Sequence, residues 1–171
     1  MPQQNNPPSS VRRLTRGALL TAIALTIFMV EAQIPSPIPV PGVKLGLANI
    51  ITVYAMYLLG PGDTLMILIS RIFLGAVFSG QMMTMMYSLG GGLSCFCAML
   101  VLRKLISTDY MWLTSAVAAL FHNMGQLLVA AGVMKTWAVL AYLPYLVLAG
   151  LCAGVFTGLC AQFLVKRLAR L

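Results

Sequence analysis

Side chains able to do chemistry are scarce in this chain, and nearly all of them stand inside long apolar runs. Arg71 and Asn49 are two. His122, Asn123 and Gln126 fall together in "FHNMGQLL". Glu31 and Lys44 bracket a proline-rich stretch, "AQIPSPIPVPGV". Polar groups inside a membrane are costly, so each is a functional candidate. On a helix His122 and Gln126, four apart, share one face, while Asn123 is rotated from His122 by about 100°. A guanidinium keeps its proton, so Arg71 must pair with a carboxylate such as Glu31, or reach water and a ligand. Arg71 together with Lys44 favours an anionic ligand bearing a phosphate or carboxylate. His122 has no Cys, Asp or Glu beside it in sequence, so no metal site is expected, and no cofactor either. The four cysteines, Cys95, Cys97, Cys152 and Cys160, form no C-x-x-C pair. They are expected to be small packing residues, with neither metal nor disulfide.

The elements that must hold these groups follow from composition. The chain has 171 residues, 60% hydrophobic and 8% charged, with a mean hydropathy of +0.94. Such a chain is an integral membrane protein. Its apolar runs do not alternate with polar residues as barrel strands do, so the expected fold is an all-α bundle. The formal charge of +8 is not a nucleic-acid signal. The basic residues flank apolar runs, as they do at the cytoplasmic ends of membrane helices.

Six helices are expected, at roughly 14–33, 45–59, 63–79, 82–102, 111–133 and 137–165. Helices 2 and 3 are short for a span, and helix 6 is long enough to tilt or to break near Pro144. Asp63 is placed to cap helix 3. With both termini on one side, that side collects Arg12, Arg13, Arg16, Arg103, Lys104, Lys166, Arg167 and Arg170, against Lys44 and Lys135 opposite. Both ends are therefore expected in the cytoplasm, in a multi-pass protein of the bacterial cell membrane. Residues 1–10 read as a disordered tail and 11–171 as one six-helix domain. Arg12 to Arg16, the apolar run that follows, and Val30-Glu31-Ala32 also resemble a signal peptide. Removing helix 1 would leave a much poorer bundle of five. No internal repeat supports an inverted-repeat transporter. On helix 1, Ala18 and Ala22 make a small-x-x-x-small strip suited to close approach by another helix. Gly90, Gly91 and Gly92 do the same for helix 4.

"PSPIPVPGVKLGLANIITVYAMYLLGPGDTLMILISRIFLGAVFSG" with "HNMGQLLVA" resembles the Gx transporter family, also catalogued as heptaprenyl diphosphate synthase component I. The resemblance runs from helix 1 to helix 6, and "PGVKLGLAN", "SRIFLGAVFSG" and "HNMGQL" are its most specific parts. That family looks like the substrate-binding S components of energy-coupling-factor transporters. The resemblance implies a six-helix, S-component-like bundle that captures a vitamin-like micronutrient outside. A transmembrane coupling subunit and two ATPases would then drive its release inward. Ala18 and Ala22 match the strip that meets the coupling subunit. The loop containing Pro39, Pro41 and Gly42 matches the first outer loop that closes the pocket, and Lys44 would stand at its mouth. The expected partners are the lipid bilayer, a small-molecule substrate, the coupling subunit and the ATPases.

Catalysis is not expected. Prenyl diphosphate synthases gather Mg²⁺ on aspartate clusters, whereas the acidic residues here are Glu31, Asp63 and Asp109, far apart in the chain. There is no Walker motif. The alternative function is a membrane accessory subunit of a redox or prenyl-quinone-related assembly, which needs an interface but no solute pocket.

Overall fold

A computed structural model describes residues 10–34, 44 and 46–168. Six α-helices follow one another: α1 (Ser10–Gln33), α2 (Asn49–Leu58), α3 (Pro61–Ser79), α4 (Met82–Leu105), α5 (Met111–Met134) and α6 (Leu143–Leu168). A 3₁₀ turn, Thr108–Tyr110, leads into α5, and a longer one, Trp137–Tyr142, leads into α6. The sixth apolar run is thus interrupted just ahead of Pro144, where the ring is tolerated in a first helical turn. Of the expected tail only Ser10 is described, and it already begins α1.

Five of the elements are long and apolar enough to cross a membrane, as befits a multi-pass membrane protein. Helix α2 is not among them. Its 10 residues span about 15 Å, half of a hydrocarbon core. It is held among the others instead, against α3 and α6. Both of its ends receive a charge of the sign its dipole favours. Arg103 of α4 donates to the Met56 carbonyl near its C-terminus at 3.2 Å, and Glu31 of α1 accepts from the turn that precedes its N-terminus.

Helix α5 is the axis of the bundle, packed most extensively against α4 and α6, while α1 leans mainly on α3. The core divides into layers. One apolar cluster includes Met56, Leu68, Ile72, Phe96, Met99, Met111 and Ala161. A second includes Tyr87, Leu127, Ala130, Val139 and Leu146. Along α5, His122, Asn123 and Gln126 lie between the residues that serve these clusters, Ala118 below and Leu127 above. The polar residues of the sequence therefore form a middle layer. Of the cysteines only Cys95 is buried; Cys97 and Cys152 are exposed on the outside of the bundle, so they do not pack the core as expected.

Asp63 is not the cap of α3. Gly60 takes that position, Pro61 opens the helix, and Asp63 sits in the first turn. Its carboxylate accepts from Arg13 Nε at 2.7 Å, tying the start of α1 to the start of α3. Glu31 lies 18 residues further along α1, about 27 Å away at the helical rise.

The α4–α5 contact depends on glycine. A methyl on Gly125 would come within 2.5 Å of the Ser94 hydroxyl and 2.9 Å of the Gly90 carbonyl carbon. Gly125→Ala should cost about 1–3 kcal/mol by forcing the helices apart. Gly132→Ala on the same helix meets nothing within 4 Å and should be neutral or mildly stabilising. Melting temperatures of the two variants beside the parent check this; equal behaviour would contradict the close approach.

Candidate functional site

The middle layer draws on five elements. Arg71 comes from α3 and is 4% exposed; His122 and Gln126 come from α5 and are 4% and 2% exposed. Helix α1 contributes Phe28 and Glu31, both buried. The turn before α2 contributes Lys44 and Gly46, and Asn49 begins that helix. Helix α4 contributes its glycine stretch and Cys95.

Glycine makes the convergence possible at two points. A methyl on Gly91 would lie 2.6 Å from Gln126 Cγ and 2.9 Å from His122 Cε1. Both α5 side chains therefore rest directly on the α4 backbone. Gly46 has φ +83°, a conformation most residues avoid. A methyl there would also meet Asn49 Nδ2 at 2.8 Å and His122 Nε2 at 3.1 Å. The glycine of "KLGLAN" is thus a left-handed residue that brings backbone up to the imidazole.

The turn before α2 presents two backbone amides to α1. Glu31 accepts from Gly46 N at 2.7 Å and from Leu47 N at 2.9 Å. Of the two outcomes open to Arg71, the ion pair with Glu31 is not formed: among the described residues the ion pairs are Arg13–Asp63 and Lys166–Asp109. Arg71 instead interacts over longer range with Glu31, Lys44, Cys95 and His122. Phe28 offers its ring to both cations, with Lys44 Nζ 3.9 Å and Arg71 Cζ 5.8 Å from its centroid. Burial draws the Lys44 ammonium below the ordinary lysine range, with the Glu31 carboxylate opposing that drift.

Several polar atoms of this layer remain unmatched. Arg71 Nε and Nη2, His122 Nδ1, Asn123 Oδ1 and Gln126 Oε1 are buried and have no hydrogen-bond partner among the described residues. A further such atom, Gln162 Oε1, belongs to α6 near Lys166, away from the layer. Elsewhere in the bundle buried hydroxyls pair with one another, Tyr57 with Thr114 at 2.9 Å and Ser115 with Thr157 at 3.0 Å. Buried polar groups are normally satisfied, so the middle layer departs from the rest of the core.

The sequence candidates do not all meet. Arg71, His122 and Gln126 gather around the Gly91–Cys95 turn of α4, with Asn49 and Lys44 alongside. Asn123 faces α6, where its amide donates to the Leu146 carbonyl at 2.7 Å. Pro39, Pro41 and Gly42, the expected lid, lie outside the described residues. Ala18 and Ala22 are exposed, turned away from the Thr21, Ala24, Phe28 and Glu31 face that α1 buries. Phe28, Gly46 and Gly91 join the site beyond the residues expected from the sequence. The glycine of "KLGLAN", placed just ahead of a helix, was the available signal for Gly46.

The cavity that borders this layer is small, and Arg71, His122 and Gln126 do not line it. At about 10 Å³, bounded by Gly46, Asn49, Cys95, Ser115, Gly154 and Thr157 among others, it has room for about one water. A larger solute requires the helices to move.

Replacing Glu31 with Ala removes the acceptor for two backbone amides, which leaves them short of partners at a cost of about 1–3 kcal/mol. Hydrogen exchange at Gly46 and Leu47 should accelerate in Glu31→Ala while the α5 amides keep their protection. Unchanged exchange at both would show that the clasp does not hold the turn.

Residues 20–164 match the model of the family described as heptaprenyl diphosphate synthase component I. No curated protein matches the chain.

Proposed function

The chain belongs to the heptaprenyl diphosphate synthase component I family, and we propose that it works there as a membrane-embedded solute-binding subunit. Its solute is a small vitamin-like or anionic micronutrient taken from outside the bacterial cell membrane, as in the S components of energy-coupling-factor transporters. The observation that carries this is the buried Arg71 guanidinium, whose Nε and Nη2 lack partners in a layer built from α1 to α5. A bundle that needed Arg71 only for packing would spend those donors internally, because an unsatisfied buried charge is expensive. A binding subunit keeps them for its ligand.

Transport needs energy, and this chain supplies no nucleotide-binding motif. A transmembrane coupling subunit and ATPases fill that role in this reading. The exposed Ala18–Ala22 strip supports a helix partner there, since small residues let helices approach closely. Thr15 and Thr26, on either side of the strip, turn their hydroxyls back onto the Val11 and Ala22 carbonyls at 2.9 and 3.0 Å, which leaves an apolar seam.

We assign the chain no catalysis of its own. Its three carboxylates already have partners: Glu31 the Gly46 and Leu47 amides, Asp63 Arg13, and Asp109 Lys166 at 3.0 Å. Glu31 stands at the opposite end of α1 from the Arg13–Asp63 pair, so the carboxylates do not combine to hold a Mg²⁺–diphosphate. The small size of the enclosed cavity favours a second role, an accessory subunit of a redox or prenyl-quinone-related assembly that binds no solute.

Quantitative recovery of the tagged chain from native membranes in mild detergent separates the two. With the parent, a coupling subunit and ATPases should co-purify. With Ala18→Leu/Ala22→Leu, whose bulk fills the strip, their recovery should fall at least about tenfold, a loss of about 1.4 kcal/mol or more in association. Recovery of redox or quinone-synthesis proteins instead, unaffected by the variant, would establish the accessory role.

A further inference from the structure

We propose that the solute of this site carries one forked oxyanion, a carboxylate or a phosphate-type group, together with a hydrogen-bond donor. The oxyanion binds the side-on edge of Arg71, and the donor is taken by Gln126. This rests on the solute-binding role above and specifies its chemistry.

Two of the unmatched arginine nitrogens are fully buried, and their geometry is informative. Nε and Nη2 lie on one edge of the guanidinium, and their N–H bonds run parallel. That edge matches two oxygens of a carboxylate or phosphate and forms a bidentate pair. Glu31 does not occupy it: its oxygens accept from Gly46 and Leu47, and the ion pairs among the described residues are Arg13–Asp63 and Lys166–Asp109. Lys44 contributes charge rather than a second anchor, since its ammonium sits over the Phe28 ring at 3.9 Å. The strongest vacant binding element in the layer is therefore a fork, selective for planar or tetrahedral oxyanions over spherical ones.

The second element has the opposite polarity. Gln126 Oε1 is an acceptor without a donor, and its side chain rests on Gly91 beside His122. The α3 residues on either side of Arg71 reach the same turn of α4. Gly92 packs against Leu68 and Ile72, with a methyl there placed 3.2 Å from each side chain, and these residues flank Arg71 on α3. The α3 face that carries Arg71 and the α5 face that carries Gln126 and His122 thus border adjacent glycines of α4, and in this proposal the solute bridges the two. An N–H or O–H on the solute satisfies the amide oxygen; a purely apolar body leaves it buried and unmatched.

The test uses the full purified chain and matched probe pairs. Acetate and glycolate differ by one hydroxyl on a carboxylate, and methylphosphonate and hydroxymethylphosphonate differ likewise on a phosphate-type group. Melting temperature is followed while each replaces chloride at constant ionic strength. At least one pair should raise it saturably, and which pair responds tells carboxylate from phosphate. The hydroxylated member should half-saturate at a concentration about threefold to tenfold lower than its partner. Arg71→Lys keeps the charge but loses the fork, and should weaken the response about tenfold or more. Gln126→Leu should retain the response and erase the preference for the hydroxylated probe.

No saturable response to either pair, or an equal response in Arg71→Lys, overturns the proposal. If Arg71→Lys does not fold, the probe preference in the parent and in Gln126→Leu decides, and its absence in the parent is likewise fatal. Oxyanion binding by a chain that recruits no coupling subunit would keep this site and remove the transport role. Recruitment without oxyanion binding would do the reverse.

Discussion

A guanidinium that cannot shed its charge, enclosed by apolar helices, dominates the energetics of this bundle. Arg71 is 4% exposed, and the cost of removing such an ion from water amounts to several kcal/mol even after relaxation. Compensation comes from around it rather than from one partner. Glu31 supplies negative charge at a distance, Phe28 supplies the face of its ring, and Lys44 works against both by adding a second cation. This incomplete compensation is what sets the middle layer apart from the matched hydroxyl pairs elsewhere on α5.

The surrounding architecture places the layer rather than merely enclosing it. Glu31 is fixed by the turn that begins α2, and that turn exists because Gly46 adopts a left-handed conformation beside His122. Helix α2 is too short to span, yet it is charged correctly at both ends, by Glu31 and Arg103. Glycines on α4 and α5 bring those helices close enough for His122 and Gln126 to lie on backbone. Helix α1 carries Phe28 and Glu31 but buries only one stripe of itself. It is the element whose movement would open the layer with the least loss of core contacts.

Much of this was legible in the sequence because membrane helices must satisfy their own backbone. Hydropathy located five of the six helices to within four residues at each end; α6 begins six residues later than expected, because a 3₁₀ turn precedes it where a tilt or a break near Pro144 had been open. Neighbour relations were harder. Asp63 was read as a cap from its position after "GPG", but Gly60 had already opened the helix and Arg13, 50 residues away in sequence, claimed the carboxylate. Glu31 and Arg71 were the natural ion pair by charge alone. Two backbone amides that no side-chain pattern reveals hold Glu31 instead. His122 and Gln126 shared a face as the 3.6-residue period requires. The different fate of Asn123, drawn to the Leu146 carbonyl, depended on where α6 packs.

The central claim is that Arg71 is kept for a ligand and not for the fold. The most direct measurement is the melting temperature of unliganded Arg71→Met in the full chain. Methionine fills similar space without a buried charge. A residue held in reserve for binding is replaced at no loss, or at a gain, in stability. The account expects Arg71→Met to melt at or above the parent. A fall corresponding to about 3 kcal/mol or more, the scale for breaking a buried charge network, would show that Arg71 holds the bundle together and would contradict the claim.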